Sequence, residues 1–341
     1  MEYSDLLTNY FFTSIENLLN ISVSDLLWPL PHSINSTNYP LELIKFDKIE
    51  LDDCSLSDET CKTLLNSLKI TINSLRSKCN YDVTNSSALL FKIKFKIDFD
   101  DILNPQQLLH VDESYVLTVS PKLMEIQAKT RIGFIYAMQT LSQLVISTKK
   151  NCYIAAAQII DKPRFSHRGF MLDSSRNFFS VNDIKRQLDA MFYTKLNVLH
   201  WHIYDAQSFP IKWEYDGGRL YKNSAYKWDD GSLKVYSKND VKDIIDYAFQ
   251  LGIRIIPEFD MPGHTTVFSK AYPEIMKCAD FGPGFDGQKG INWVKRRCNQ
   301  PPCGQLNPDA EKTYVIIEQF LKDMGEWVTH LIAFESIFIH L

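Results

Sequence analysis

Three stretches of this sequence gather side chains able to do chemistry. Arg176 follows Asp173-Ser174-Ser175. A guanidinium there is either a surface arginine paired with a neighbouring carboxylate or a rigid donor fork for substrate hydroxyls or a carboxylate. The second stretch is denser, with His200-Trp201-His202 followed by Tyr204-Asp205-Ala206. Side chains alternate along a strand, so His200 and His202 share a face. They read either as two hydrogen-bonded histidines in a sheet wall or as the start of a zinc site. Asp205 falls where the strand should open into a loop and is the better candidate for a polar contact. The third stretch is Glu258-Phe259-Asp260-Met261-Pro262-Gly263-His264. Pro262 and Gly263 force a tight turn that should bring His264 back over its own strand end, near Asp260. A carboxylate that fixes an imidazole tautomer is a recurrent catalytic pairing, and a purely structural Asp–His contact has the same pattern. Cys298 and Cys303, across Pro301 and Pro302, read as a loop staple rather than a metal pair.

The elements that must position these residues fall into two halves. Up to about residue 160 the pattern is mixed. Asp53 to Arg76 reads as a helix with Leu56, Cys61, Leu64, Leu65 and Leu68 on one side, and Ala88 to Asp98 as a strand. Tyr115, Leu117 and Val119 alternate with Val116 and Thr118, and Thr130 to Val145 is helical with Phe134, Met138, Leu141 and Val145 on one face. Strands and helices without strict alternation predict an α+β domain. Asp161, Lys162 and Pro163 make the best boundary.

From His167 strands and helices alternate. Gly169 to Asp173, Asn197 to His202 and Ile253 to Asp260 are strands, and Ile337 to His340 a fourth. Ser180 with Asp183, and Ser237 with Asp240, are capping-box signals. Their helices carry Ile184, Leu188, Met191 and Phe192, then Val241, Ile244, Ile245, Ala248 and Leu251, with Gly252 as the stop. Asn307 before Pro308 opens a further helix through Tyr314, Ile317 and Leu321. Such repeats imply a parallel sheet with right-handed crossovers. Asp173, Asp205 and Asp260 each end a strand, where a (β/α)₈ barrel collects its chemistry, and Asp173-Ser174-Ser175-Arg176 is no dinucleotide-binding fingerprint. The expected fold class is therefore α/β: an N-terminal α+β domain followed by the first half of a (β/α)₈ barrel of about four strands, since about 175 residues are available where about 250 are typical.

Composition narrows the partners. The 341 residues carry 45% hydrophobic and 23% charged residues with a net charge of −4. That excludes disorder, and no basic surplus points to nucleic acid. No run approaches the roughly 18 apolar residues of a membrane span. Residues 1–25 lack a basic n-region and a clean apolar stretch, so no signal peptide is read there. Asn20, Asn35 and Asn85 are nevertheless acceptors for N-glycosylation. Seven cysteines, Cys54, Cys61 and Cys79, then Cys278, Cys298 and Cys303, with Cys152 apart, predict a disulfide framework with one left over.

Taken in order, these motifs resemble the family 20 glycoside hydrolases, the β-N-acetylhexosaminidases. Trp28-Pro29-Leu30-Pro31 looks like the start of the mature protein. Pro163 to Gly169 and Leu172 to Arg176 look like the first part of the family's barrel. Lys195 to His202, Ser208-Phe209-Pro210 and Pro257 to His264 follow, and Cys303-Gly304-Gln305-Leu306-Asn307-Pro308 is similar to eukaryotic, lysosomal and insect members. The resemblance runs from about residue 26 to the end and implies domains 26–163 and 164–341. It implies exo-hydrolysis of terminal β-linked N-acetylglucosamine or N-acetylgalactosamine from glycans or chitin fragments, with retention, by a substrate-assisted mechanism that departs from the two-carboxylate rule.

No cofactor and no metal are implied. A glycan or chitooligosaccharide is the partner, a homodimer the assembly, and a lysosomal or extracellular site the location. Arg176 would bind sugar hydroxyls, and Asp205 and His264 would support the acid with Asp260 as helper. Ala206 stands where many members have a second Asp. The acid and its Asp partner belong to a Gly-Gly-Asp-Glu segment that would follow Phe338-Ile339-His340-Leu341, and neither Glu326 nor Glu335 replaces it. The expectation is thus a truncated or alternatively spliced product, inactive and, through the edge at Ile337-Phe338-Ile339, aggregation-prone. The competing readings are a non-catalytic carbohydrate- or partner-binding relative and a metal-dependent hydrolase built on His200 and His202.

Overall fold

The computed structural model describes residues 22–43, 61–62, 64–66, 68–69, 71, 92–97, 111–120, 123–147, 152–277, 279 and 303–328. Two compact units divide the chain. The first comprises Met1–His167 with Phe192–Lys195 and Gln250–Gly252, and the second holds the remainder. Asn20, Asn85, Cys54, Cys79, Cys278, Cys298, Glu335 and the strand expected at 337–340 lie outside the described residues.

The first unit is a six-stranded sheet with helices. A short helix α1 (Val23–Leu26) precedes β1 (Ser33–Leu43), β2 (Lys92–Ile97), β3 (Tyr115–Val119), β4 (Leu123–Ala128), α2 (Arg131–Gln143), β5 (Val145–Ser147) and β6 (Cys152–Asp161). The strand order is β1-β6-β3-β4-β2, with β5 also on β6, and among the described residues only the β2–β4 pair of this sheet is parallel. The alternation of β3 holds: Tyr115, Leu117 and Val119 are buried and the residues between them are not. Helical residues occur within 61–71, with Leu64 and Leu68 buried as expected.

Helix α2 differs from its expected one-sided form. Every residue from Arg131 to Ser142 is buried, and Val145 lies on β5, because Leu144 ends the helix. Thr130 caps its start: its hydroxyl accepts from the Gly133 N–H and donates to the Asp112 carbonyl. Gly133 is required there, since a Cβ would stand 2.5 Å from the Ser114 carbonyl oxygen. Beneath this helix Lys195 Nζ lies 2.8 Å from both Asp161 Oδ2 and the Tyr115 hydroxyl, which also meets Thr140.

In the second unit β7 (Gly169–Asp173), β8 (Val198–Tyr204) and β9 (Arg254–Phe259) form a parallel sheet in the order β7-β8-β9. Helix α3 (Val181–Tyr193) connects β7 to β8 in sequence; α4 (Arg219–Ser224) and α5 (Lys238–Gln250) lie between β8 and β9. Both capping boxes form. Ser180 Oγ and N–H donate to Asp183 Oδ2 while the Asp183 N–H donates back to Ser180 Oγ, and Ser237 with Asp240 repeats this. Gly252 adopts φ 73°, a left-handed stop after α5. Between β8 and Ser237 the chain also contains a 3₁₀ turn at Tyr215–Gly218. Two short strands, β10 (Met276–Lys277) and β11 (Gln305–Leu306), pair antiparallel.

Helix α6 (Glu311–Val328) starts three residues later than Asn307-Pro308 suggested, because Asn307 Oδ1 accepts from the Asp309 N–H in a turn that precedes it. Its buried face is Thr313, Ile316, Phe320, Met324 and Val328, one position round from the expected Tyr314, Ile317 and Leu321. Tyr314 is 60% exposed. Phe320 decides the rotation: it sits edge-on to Tyr204, Trp213 and Phe259 and beside Phe209.

Candidate active site

The three strand-end aspartates come together as expected. Asp173 closes β7, Asp205 follows the last residue of β8, and Asp260 follows the last residue of β9. A β-bulge shapes the middle position. Along β8 and β9, His202 pairs with Glu258 but Tyr204 pairs with Phe259, so Ile203 is an extra residue. Ser174, fully buried, donates its hydroxyl to the Ile203 carbonyl at 3.1 Å. The bulge reverses the alternation. Tyr204 turns into the aromatic cluster, and Asp205 meets His202, three residues back, which an unbroken strand would have placed on the opposite face.

Asp205 is completely buried and each oxygen is used twice. Oδ2 takes Arg176 Nη2 at 2.6 Å and His202 Nε2 at 2.8 Å. Oδ1 takes the Ala206 N–H at 2.5 Å and His264 Nδ1 at 3.0 Å. Burial pushes the Asp205 carboxyl up, but His202, the Ala206 N–H, Arg176 and His264 together hold it below the ordinary range. It is a buried, fully compensated carboxylate.

Arg176 bridges two acids. Its Nη1 lies 2.5 Å from Asp173 Oδ2, while the Ser175 and Arg176 N–H groups donate to Asp173 Oδ1. A third of the arginine side chain stays exposed. Carboxylate pairing therefore coexists with partial exposure of the side chain, where sequence posed pairing and binding as alternatives.

The Asp–His pair is made with a different aspartate from the one expected. His264, at φ 54°, follows the Met261-Pro262-Gly263 turn, but its partner is Asp205 at the end of β8, not Asp260 on its own strand. Asp260 takes another role. Burial first, then the neighbouring Asp205 and Glu258 charges, raise its carboxyl, against the pull of His264 and His202. Its carbonyl accepts the Tyr204 hydroxyl at 2.8 Å.

His200 and His202 do share a face, and one carboxylate gathers both. Glu258 Oε2 lies 2.6 Å from His200 Nε2 and 2.9 Å from His202 Nδ1. Burial alone would lower the His202 imidazole; its bonds to Asp205 and Glu258, then the charges of Glu258 and Asp173, overcome this and raise it to about 9. His202 thus has a carboxylate at each nitrogen, which favours its protonated form, and Arg176 Nη1 lies 3.3 Å from Nε2. Sequence reasoning assigned Glu258 no part. The parallel register of the folded sheet sets Glu258 beside His202, and the sequence carries no signal of that register.

The atoms of His202, Asp205 and Asp260 that could ligate a metal lie within 4.8 Å of one another. Arg176 and His202 already occupy Asp205, which makes that donor set a poor one for a cation, and of the two readings offered for His200 and His202 their shared contact with Glu258 fits the hydrogen-bonded pair. Among the predicted glycosylation sites, Asn35 is exposed on β1. Cys61 and Cys303 are disulfide-bonded.

Comparison with known proteins matches two family models to this chain. Residues 165–341 match the model of the glycosyl hydrolase family 20 catalytic domain, and residues 26–162 that of the family's domain 2. Beta-hexosaminidase A of Caenorhabditis elegans is 34% identical over 322 residues, which cover 92% of this chain and 52% of that protein. The chitooligosaccharidolytic beta-N-acetylglucosaminidase of Bombyx mori is 36% identical over 245 residues, 67% of this chain and 36% of that one. The crystal structure of Flavobacterium johnsoniae chitobiase superposes with a TM-score of 0.69 at 25% identity, covering 94% of this chain and 45% of that one. The chain spans about half the length of the nematode relative and about a third of the silkworm one. No helix among the described residues is long and apolar enough to cross a membrane.

Proposed function

The chain belongs to glycosyl hydrolase family 20, and on that premise we propose that its protein removes terminal β-linked N-acetylglucosamine or N-acetylgalactosamine from glycans or chitooligosaccharides. The reaction is substrate-assisted and retaining. The 2-acetamido oxygen attacks the anomeric carbon as the glycosidic C–O bond breaks, and a glutamic acid gives its proton to the leaving oxygen. Water then opens the oxazolinium ion and returns a proton to that glutamate. Neither a cofactor nor a metal enters.

One observation carries this reading: Asp205, fully buried, is held by Arg176, His202 and His264 at the C-terminal ends of adjacent parallel strands. Bound through Nδ1, His264 has Nε2 left to meet the acid, so Asp205 fixes the orientation in which His264 supports it. Arg176, anchored on Asp173 and Asp205, offers its remaining donors to sugar hydroxyls. Asp260, next to the His264 turn, is a helper. The acid and the carboxylate that orients the acetamido group have no assigned residue within 1–341.

In this reading residues 26–163 are the α+β domain and residues 164–341 the first half of a (β/α)₈ barrel opening with β7, β8 and β9. A lysosomal or extracellular site agrees with the disulfides of Cys61 and Cys303 and with the exposed Asn35. For the full-length protein the resemblance to the family implies a homodimer.

The test is binding of N-acetylglucosamine and chitobiose to residues 1–341, followed by protein NMR, together with turnover of an aryl N-acetyl-β-glucosaminide. Binding that Arg176→Ala abolishes, without turnover, is expected. Release of the aryl group by residues 1–341 would place the acid within them. Loss of Arg176 with no effect on binding would remove the sugar from this site.

A further inference from the structure

We infer that Tyr204 is a positioning residue for the Asp205–His264 pair: its ring holds the bulge that turns Asp205 inward, and its hydroxyl anchors the turn that carries His264. The inference rests on the reading that Asp205 and His264 act as a pair, and it concerns what holds them in place.

A bulge in a parallel pair sacrifices ladder bonding and needs another source of order. Tyr204 supplies it. Its ring lies 5.2 Å from that of Phe209, 5.8 Å from Phe268 and 5.9 Å from Phe320, centroid to centroid, and stacks on Phe259 at 6.2 Å. Asp205 is the next residue, so the ring that locks Tyr204 outward also commits Asp205 to the His202 side.

The hydroxyl acts on the second partner. It donates to the Asp260 carbonyl at 2.8 Å, just beyond the last pairing of β8 with β9. Two residues on, the Pro262 carbonyl is gripped from the other side by Thr265 Oγ1 at 2.8 Å and the Leu306 N–H at 2.9 Å. The Met261-Pro262 peptide is therefore fixed at both flanks, and His264 leaves it in a left-handed conformation that points Nδ1 at Asp205. Tyr204 is entirely buried, so water cannot take the place of its hydroxyl.

The experiment uses residues 1–341 labelled with ¹⁵N-histidine and follows solvent exchange of the low-field Nδ1 proton of His264, assigned with His264→Gln. Tyr204→Phe removes one oxygen and keeps the ring. Tyr236→Phe is the control, because Tyr236 is equally buried and its hydroxyl donates to the Phe179 carbonyl and meets Ser174, on the bulge side, rather than the Asp260 carbonyl. We expect exchange at least tenfold faster in Tyr204→Phe and within twofold of the parent in Tyr236→Phe. Tyr204→p-aminophenylalanine, which restores a donor, should return it to within threefold, and this variant decides the matter if Tyr204→Phe folds poorly. Unchanged exchange in Tyr204→Phe, an equal effect of Tyr236→Phe, or failure of the restored donor overturns the inference. A parent protein without a protected His264 proton overturns it together with the Asp205–His264 pair, whereas sugar binding through Arg176 is judged separately.

Discussion

Glu258→Gln is the substitution that most directly probes the charge arrangement at the strand ends. His202 has a carboxylate at each nitrogen, at 2.8 and 2.9 Å, and stands at about 9 where an unperturbed imidazole stands at 6.5. At about 1.4 kcal/mol per pH unit, that rise corresponds to about 3 kcal/mol favouring the protonated folded form. Near-equal distances assign Glu258 about half, or about 1–2 kcal/mol. Because the folded-state value is the higher one, the stabilisation is complete below about pH 6.5 and disappears as pH rises through about 9. With Asp205 and the charge of Asp173 left, the loss should set in about one pH unit earlier.

Two measurements check this. Imidazole NMR should show His202 with both nitrogens protonated at pH 7.5 and titrating near 9 in the parent, and about one unit lower in the variant. Urea midpoints for the second unit at pH 6, 7.5, 9 and 10 should fall over the upper part of that range in the parent and earlier in Glu258→Gln. A parent His202 that titrates near 6.5, or a variant that leaves His202 near 9, refutes the reasoning.

Other residues give independent tests. Phe320→Ala empties the centre of the aromatic cluster around Tyr204, Phe209, Trp213 and Phe259, and should cost about 3–5 kcal/mol in denaturant unfolding. Lys195→Met leaves the buried Asp161 without its cation and should cost about 3–5 kcal/mol, while Lys195→Met with Asp161→Asn, which removes the charge and keeps hydrogen-bonding atoms facing Tyr115, His32 and Lys162, should recover part of it. Ser180→Ala and Ser237→Ala each remove a capping hydroxyl and should cost about 1 kcal/mol, adding in the double variant because the two caps share no partner.

Local signals in the sequence were strong where one element decides its own form. Ser180 with Asp183 and Ser237 with Asp240 cap helices wherever they are placed, because donor and acceptor lie three residues apart in the same turn. Burial of Tyr115, Leu117 and Val119 follows from the two-residue period of a strand, and Gly252 stops α5 because a positive φ is inexpensive only for glycine. The same local logic misjudged α6. Tyr314 and Thr313 are both acceptable on an inner face by type, and only the aromatic cluster around Phe320 selects between two neighbouring stripes.

The amino-acid sequence by itself thus determined the parallel strand–helix repeat, the three aspartates at strand ends and the residue types from which the site is made. Which of those residues touch was decided by tertiary structure. Periodicity within one strand puts Asp205 opposite His202, and the extra residue Ile203, visible only in the pairing of β8 with β9, puts them together. Glu258 reaches His200 and His202 because parallel register makes it their neighbour across the sheet. His264 finds Asp205 rather than Asp260 because the turn is aimed at the adjacent strand. Each of these contacts joins residues from separate strands or depends on how strands pair, and their relative placement is fixed only when the sheet closes its hydrogen bonds and the aromatic cluster packs behind it.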